Sequence, residues 1–174
     1  MHNRKPNRMS GYDYSQDNLY FVTSCVENRV CCFGEIISQK MILNEYGKIA
    51  EKQWHWLGEQ YPYIQLHEFV VMPNHIHGII EINRSIVVGT GRDLSLQQQN
   101  DPFTQIKIKS LSELMGAFKT TTSKQIHLIG NKTFAWQRSF HDHIIRDEKS
   151  FNRISNYISE NPLKWDLDQF HVKH

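Results

Sequence analysis

Runs of β-branched and aromatic residues alternate along this chain with stretches in which apolar residues recur at helical spacing. The run 18–26 predicts a strand in the centre of a sheet. Two apolar runs within 68–82, separated by Pro73-Asn74, predict a strand, a turn and a second strand. The apolar stripe of 44–60 predicts a helix. The pattern therefore indicates an α/β chain.

Helix start signals support three helices. Asn44 would cap the helix at 44–60, and the next helix, 110–127, opens with Ser-Leu-Ser-Glu, which has the form of a capping box. The last helix carries Asp147 or Ser150 as its cap. Each helix has an apolar face that could pack on a sheet.

Two further segments set the domain organisation. Apolar and polar side chains alternate along residues 136–145, which predicts a strand or a strand pair. The segment 84–109 has little periodic apolar content and predicts a long flexible loop, because too little chain lies on either side for two separate cores. With 174 residues, we expect a single domain over 1–174.

Composition and charge narrow the class of protein. The chain is 39% hydrophobic and 22% charged, which is typical of a soluble globular protein. No apolar run approaches the roughly 20 residues of a membrane span, and the polar N-terminus does not resemble a signal peptide, so we expect a cytoplasmic protein with no membrane partner. The formal net charge is only +2, so any binding of nucleic acid has to be local.

Two pairs of histidines could bind a metal ion. His75 and His77 would lie on one face of the second strand of the predicted hairpin, where they could share one divalent ion with a third ligand from elsewhere. His141 and His143 form a second pair, with an aspartate between them. The residues alone do not decide between the two pairs.

The last helix offers a tyrosine and an amide on one edge. Tyr157 and Asn161 are one turn apart, and Asn161 would lie where the helix ends before Pro162. Packing is the ordinary explanation for a tyrosine near a helix end. The chain has no glycine-rich phosphate loop and no nucleophile elbow, which argues against nucleotide hydrolysis and serine hydrolase chemistry.

Three blocks taken together resemble a known family. They are Asn-Leu-Tyr-Phe-Val-Thr at 18–23, Val-Val-Met-Pro-Asn-His-Ile-His-Gly at 70–78, and Trp-Gln-Arg-Ser-Phe-His-Asp-His-Ile-Ile-Arg at 136–146 followed by Asn-Tyr-Ile-Ser-Glu-Asn-Pro-Leu-Lys-Trp at 156–165. In this order the blocks resemble the single-tyrosine HUH transposases, and most closely the REP-associated tyrosine transposases. The resemblance extends over about 11–165.

The resemblance implies a fold and a set of site residues. The fold would be one compact α/β (α+β) domain with a central antiparallel sheet flanked by helices, related to the ferredoxin-like arrangement. His75 and His77 match the metal ligands of the family, and Asn161 matches the polar residue that completes the metal site. Tyr157 matches the nucleophile. His141 and His143 match no ligand position and are left as DNA contacts.

The resemblance also implies a reaction. Tyr157 would attack single-stranded DNA that carries a palindromic hairpin, form a covalent 5′-phosphotyrosine, and leave a 3′-hydroxyl for rejoining. A divalent ion, Mg²⁺ or Mn²⁺, would stabilise the charge on the phosphate, and two imidazoles favour Mn²⁺. The sequence does not identify the group that accepts the phenol proton.

Single-stranded DNA is held by cations that contact phosphates and by aromatic rings that stack on bases. Candidates for the first role are Arg138, Lys119, Lys124 and Lys164, and Trp136 is the candidate for the second. The main alternative function is a catalytically silent nucleic-acid-binding module that retains the fold, and a metal-dependent hydrolase of a small molecule is a third hypothesis. Both a monomer and a homodimer stay open.

Overall fold

The computed structural model describes residues 13–85 and 107–171. Its strands are β1 (Asn18–Cys25), β2 (Gly34–Ile37), β3 (Lys40–Leu43), β4 (Ile64–Met72), β5 (His75–Ile82) and β6 (His141–Ile145). Its α-helices are α1 (Glu45–Gln60), α2 (Leu111–Leu128) and α3 (Glu148–Glu160), and the segments Glu27–Arg29 and Asn161–Leu167 are 3₁₀ helices. Most of the predicted loop at 84–109 lies outside the described residues.

The main sheet has four strands in the order β4-β5-β1-β6, and every neighbouring pair is antiparallel. Along the chain these strands alternate with helices as β1-α1-β4-β5-α2-β6, which with this strand order is the ferredoxin-like arrangement. The predictions of an antiparallel sheet flanked by helices and of a central strand at 18–26 are confirmed. Strands β2 and β3 form a separate two-stranded hairpin between β1 and α1.

Helices α1 and α2 cover one face of the sheet, where the larger core lies. Trp54 of α1 is fully buried there, stacked on Phe69 with ring centroids 4.6 Å apart and edge-on to Phe118 of α2. Gly78 lies directly beneath the indole, and a Cβ atom at this position would be 2.3 Å from Cζ2 of Trp54. The glycine that follows the histidine pair is therefore required by packing on the opposite face.

Helix α3 packs on the other face of the sheet. Ile154 and Ile158 of α3 form a small buried cluster with Ile79 of β5 and Ile145 of β6. Because side chains alternate along a strand, His75 and His77 lie on the same face as Ile79, while Ile76 and Ile80 enter the larger core. The predicted alternation of this strand thus places the histidine pair beside α3.

The predicted helix caps are present. The Asn44 side chain accepts hydrogen bonds from the backbone N–H groups of Tyr46 and Gly47, both at 3.0 Å. The capping box at the start of α2 is formed in both directions. Of the two candidates for the last helix, Asp147 is the cap, since its carboxylate accepts the backbone N–H of Ser150 at 2.7 Å.

One local prediction differs from the structure, and one element of the structure was not predicted. Within 136–145 only His141–Ile145 is a strand, because Trp136 instead makes one isolated bridge with Val26 at the end of β1. The hairpin of β2 and β3 was not predicted. Its turn places Ser38 and Gln39 at φ values of 48° and 63° without the Asn-Gly or Gly-Gly pair that usually indicates such a turn.

Candidate functional site

The two histidines of β5 converge in the interior beside α3. His75 is 0% exposed and His77 is 1% exposed, and their Nε2 atoms lie 3.0 Å apart. Two nitrogen ligands at right angles around an ion with bonds of about 2.1 Å would also lie about 3.0 Å apart. The spacing of the two nitrogens therefore fits a shared metal ion.

Each histidine is held through its other ring nitrogen. Nδ1 of His75 lies 2.8 Å from Oδ1 of Asn74, and Nδ1 of His77 lies 2.7 Å from Oγ1 of Thr23 on the adjacent strand β1. Partners of this kind fix the orientation of metal-binding imidazoles in proteins. Both rings are thus oriented with Nε2 toward the same point.

Burial keeps both rings neutral. It lowers the pKa of His75 well below the ordinary value of 6.5, and repulsion from the charge of Arg29 and from any charge on His77 lowers it further. Burial also lowers the pKa of His77 to about 3. A neutral imidazole is the form that binds a metal ion, so the pair is ready to act as ligand at neutral pH.

Tyr157 of α3 reaches this pair. Its hydroxyl lies 3.2 Å from Nε2 of His77, and its ring contacts Phe21 edge-on, with centroids 6.2 Å apart. The side chain is 39% exposed, so one side of the phenol faces solvent. Burial and the charge of Asp168 raise its pKa, and a hydrogen bond from the Asn161 side chain lowers it. The net rise keeps the phenol protonated at neutral pH.

Asn161 lies at the C-terminal cap of α3, one turn beyond Tyr157. It is only 2% exposed, and its Oδ1 atom makes no hydrogen bond with any described residue. A buried amide oxygen without a partner is costly, and an ion would satisfy it. Of the four residues that the resemblance assigns to the site, the structure places His75, His77 and Tyr157 in direct contact, and Asn161 is hydrogen bonded to Tyr157.

Asp168 joins this group, and the sequence analysis missed it. Ligand atoms of Asp168, His75 and His77 all lie within 4.8 Å of one another, so this cluster could hold a metal ion. A carboxylate oxygen, an amide oxygen and two imidazole nitrogens suit Mn²⁺, and a carboxylate makes Mg²⁺ more acceptable. No motif pointed to Asp168, because it follows the 3₁₀ helix Asn161–Leu167 in a turn.

The chain around Asp168 covers the histidines. The Phe170 ring lies 4.6 Å from the ring of His75, and the Trp165 ring lies 6.0 Å from it. The Asn74 amide donates to the carbonyl of Phe170 at 2.9 Å, and Arg29 donates to the carbonyl of Gln169 at 3.0 Å. These contacts explain why His75 has no exposed surface.

Four of the five predicted DNA-binding residues, Lys119, Lys124, Trp136 and Arg138, line a basic groove, defined here as the space of about 920 Å³ between α2 and the segment 132–138. Lys119, Lys124, Arg138 and also Lys132 border it, and none of its lining side chains in the described part of the chain is acidic. The Lys119 ammonium donates to the carbonyls of Gln137 and Ser139, which ties α2 to this segment.

Trp136 and Lys164 differ from what the sequence analysis expected. Trp136 is only 9% exposed, because its ring packs among Phe33, Phe118 and Phe134, so it offers little surface on which a base could stack. Lys164 lies outside the groove and pairs with Glu160 at 2.6 Å.

The second histidine pair is exposed. His141 and His143 lie on β6 opposite Thr23 and Phe21 of β1 and so share the sheet face of the buried pair. They are not part of the cluster with Asp168. Among the helices in 13–85 and 107–171, none is both long and apolar enough to cross a bilayer.

Comparisons with known proteins agree with this fold. No protein-family profile matches the chain. An uncharacterized protein of Haemophilus influenzae is 36% identical over 99% of this chain and 95% of its own length. A second protein of that organism, provisionally described as a REP-associated tyrosine transposase, is 24% identical over 94% of this chain and 86% of its own length.

A solved structure shares the fold. It is a REP-associated tyrosine transposase bound to a REP hairpin, and it is 21% identical with a TM-score of 0.54, covering 92% of this chain and 77% of that chain. The chain therefore shares the fold of a transposase. In sequence it is similar to a protein provisionally described as a REP-associated tyrosine transposase.

Proposed function

We propose that the protein cleaves and rejoins single-stranded DNA through a covalent bond between Tyr157 and a 5′-phosphate, with the help of a divalent metal ion. The observation that carries this proposal is the 3.2 Å contact between the Tyr157 hydroxyl and Nε2 of His77. This contact joins the hydroxyl that the resemblance assigns as the nucleophile to the buried pair of imidazoles. The proposal is also supported by the relationship to REP-associated tyrosine transposases.

His75 and His77 would hold the ion, with Asn161 as the third ligand and Asp168 as a further one. The buried Oδ1 atom of Asn161, which lacks a partner among the described residues, supports the first assignment, and the proximity of the Asp168 carboxylate to both imidazoles supports the second. When bound, Mn²⁺ or Mg²⁺ supplies a positive charge that stabilises the nonbridging oxygens of a phosphodiester.

The phenol of Tyr157 performs the covalent step. Its oxygen forms a bond to phosphorus while the bond from phosphorus to the 3′-oxygen breaks, and the departing oxygen becomes a 3′-hydroxyl. The phenol loses its proton during the attack, and the raised pKa of Tyr157 means that this loss does not occur beforehand. The reverse attack by a 3′-hydroxyl restores the phenol and rejoins the DNA.

The basic groove is the surface that we assign to the DNA backbone. Its described lining includes Lys124, Lys132 and Arg138 and no carboxylate. The resulting positive charge suits the phosphates of a hairpin. His141 and His143 are exposed on the face of the sheet that carries Tyr157 and could contact the strand near the site. Lys164 and Trp136 have weaker support, since Lys164 pairs with Glu160 and Trp136 is buried.

A Tyr157→Phe variant tests the proposal. The wild-type protein, incubated with labelled single-stranded hairpin DNA and Mn²⁺, should form an adduct that survives denaturing electrophoresis, and Tyr157→Phe should form none while binding the same DNA. Tyr46→Phe on α1, which lies on the opposite side of the sheet, is the matched control and should keep the adduct. Adducts that persist in Tyr157→Phe would refute the assignment.

A catalytically silent nucleic-acid-binding module is the second candidate. It is favoured by the covering of the histidines by Phe170 and Trp165, which leaves His75 without exposed surface. This candidate predicts hairpin binding that is unaffected by EDTA and no adduct from the wild-type protein under any metal condition. The same gel therefore separates the two functions.

A further inference from the structure

The orientation of the Asn74 side chain determines the tautomer of His75. Asn74 is fully buried in the turn between β4 and β5, and its amide nitrogen donates to the carbonyls of Arg29 at 3.1 Å and Phe170 at 2.9 Å. Both amide hydrogens are thereby used, and the reverse orientation would place Oδ1 against two carbonyl oxygens. Oδ1 must therefore accept the proton of Nδ1 of His75, 2.8 Å away. A neutral His75 carries its proton on Nδ1 and a lone pair on Nε2.

His77 must take the other tautomer when no ion is present. Its Nε2 atom lies 3.0 Å from the lone pair on Nε2 of His75, and two lone pairs would repel at that distance. The contact is favourable if Nε2 of His77 carries the proton and donates it to His75. The Tyr157 hydroxyl, 3.2 Å from the same Nε2 atom, can accept from this N–H group as well, so the Nε2–H form of His77 suits both neighbours. Nδ1 of His77 then has a lone pair, which accepts from the Thr23 hydroxyl at 2.7 Å.

A shared ion requires the proton of His77 to move. Both Nε2 atoms must then present lone pairs, so the proton of His77 has to lie on Nδ1. Thr23 can accommodate this change, because a hydroxyl can donate to Nδ1 in one state and accept from Nδ1–H in the other. The Asn74 amide cannot reverse its role in this way, since both of its hydrogens are bound to carbonyls.

We propose that Asn74 and Thr23 are positioning residues for the histidine pair: Asn74 fixes the proton of His75 on Nδ1, and Thr23 allows His77 to move its proton from Nε2 to Nδ1 when an ion binds. The inference rests on the metal-binding role proposed above for the pair. It goes beyond that role by assigning a tautomer to each ring and a partner that controls it.

The tautomers are observable by NMR. In ion-free protein labelled with ¹⁵N-histidine at neutral pH, long-range ¹H–¹⁵N spectra should show the Nδ1–H form for His75 and the Nε2–H form for His77, with signals assigned from single His→Gln variants. Addition of Zn²⁺ as a diamagnetic probe should convert His77 to the Nδ1–H form and leave His75 unchanged. An Nδ1–H form of His77 before Zn²⁺ is added would overturn the role of Thr23.

Affinity for Mn²⁺ provides a second readout by calorimetry. Thr23→Val keeps the shape of the side chain but removes the hydroxyl, and it should weaken Mn²⁺ binding by about 10- to 100-fold, as loss of a group that orients a metal ligand typically does. Thr23→Ser restores the hydroxyl and should restore the affinity. Asn74→Asp keeps the acceptor for His75 and should bind Mn²⁺ better than Asn74→Ala.

The outcomes separate this inference from the proposed function. Asn74 variants lose two hydrogen bonds to carbonyls and could unfold. If they unfold, the comparison of Thr23→Val with Thr23→Ser decides the affinity test. If the wild-type protein binds Mn²⁺, His77→Ala abolishes binding and Thr23→Val binds normally, the positioning role is wrong while the proposed metal site stands. If the wild-type protein binds no Mn²⁺, the metal site itself fails, and the proposed movement of the His77 proton fails with it.

Discussion

The hydroxyl of Tyr157 lies 3.2 Å from Nε2 of His77, although the tyrosine is on the last helix and the histidine is on a central strand. Two features produce this contact. Ile154 and Ile158 of α3 pack on Ile79, which fixes the helix over β5, and alternation along β5 directs His77 to the same face as Ile79. The apolar packing of α3 therefore places a phenol beside a pair of buried imidazoles.

Asp168 should contribute to metal affinity. Its carboxylate lies with the two histidines in a cluster whose ligand atoms are within 4.8 Å of one another, so Asp168→Asn would remove the only formal negative charge of that cluster. We expect Mn²⁺ binding to weaken by at least about tenfold, which corresponds to about 1.4 kcal/mol. Calorimetric titration of Mn²⁺ measures the change. Asp166→Asn, an exposed neighbour on the 3₁₀ helix that precedes Asp168, is the control, and equal affinities for the two variants would exclude Asp168 as a ligand.

The buried histidines should make the ion-free protein sensitive to acid. Burial lowers the pKa of His77 to about 3 and that of His75 well below 6.5, and both regain ordinary values on unfolding. Below pH 6.5 the unfolded chain thus binds protons that the folded chain does not, so folding stability falls as the pH falls, by about 1.4 kcal/mol per pH unit for each histidine. Above pH 6.5 the two residues add no pH dependence.

Urea unfolding in EDTA at several pH values between 5 and 8 measures this slope. The double variant His75→Gln, His77→Gln is the control, because it lacks the titrating groups and should show a flatter dependence between pH 5 and 6.5. Equal slopes for the two proteins in that range would show that the histidines are not held neutral by burial.

Much of the fold could be predicted because its signals are local. Asn44 and the capping box at Ser110 satisfy backbone N–H groups within a few residues, so their function is visible in the sequence. The hairpin of β2 and β3 was missed because its strands have four residues each and its turn lacks glycine. Trp136 was assigned to a strand because of the alternating pattern around it. In the structure its ring packs in the larger core, and its backbone forms only a single bridge.

The site could be predicted only in part, because several of its residues are distant in the sequence and meet only in the folded chain. Spacing along one strand is enough to pair His75 with His77, whereas Tyr157 and Asn161 were assigned from the resemblance. Asp168 approaches the histidines only because the turn after the last helix folds back over them, and no spacing rule describes that path. The role of Thr23 likewise depends on the register between β1 and β5, where it lies opposite His77.

Gly78 should be intolerant of a side chain. A Cβ atom there would lie 2.3 Å from Cζ2 and 2.6 Å from Cη2 of Trp54, and the indole cannot move because it is stacked on Phe69 and packed against Phe118. We expect Gly78→Ala to destabilise the protein by about 1–3 kcal/mol, the usual range for overpacking a core. Urea unfolding measures the change. Gly116→Ala on α2 is the control, since no atom lies within 4 Å of its added Cβ, and it should not destabilise the protein.

The basic groove should bind DNA through its phosphates. Lys124 is exposed on α2 and borders the groove without a carboxylate in the lining, so it is free to contact a phosphate. Lys124→Ala should weaken binding of a single-stranded hairpin, and the slope of log affinity against log salt should fall by about 0.7 to 0.9 for one lost phosphate contact. Fluorescence anisotropy at several salt concentrations gives both quantities. Lys52→Ala on α1 makes the same change of charge at an exposed position away from the groove and should leave the slope unaltered. If the two variants lowered the slope equally, the effect would reflect net charge, and the groove would not be the DNA-binding surface.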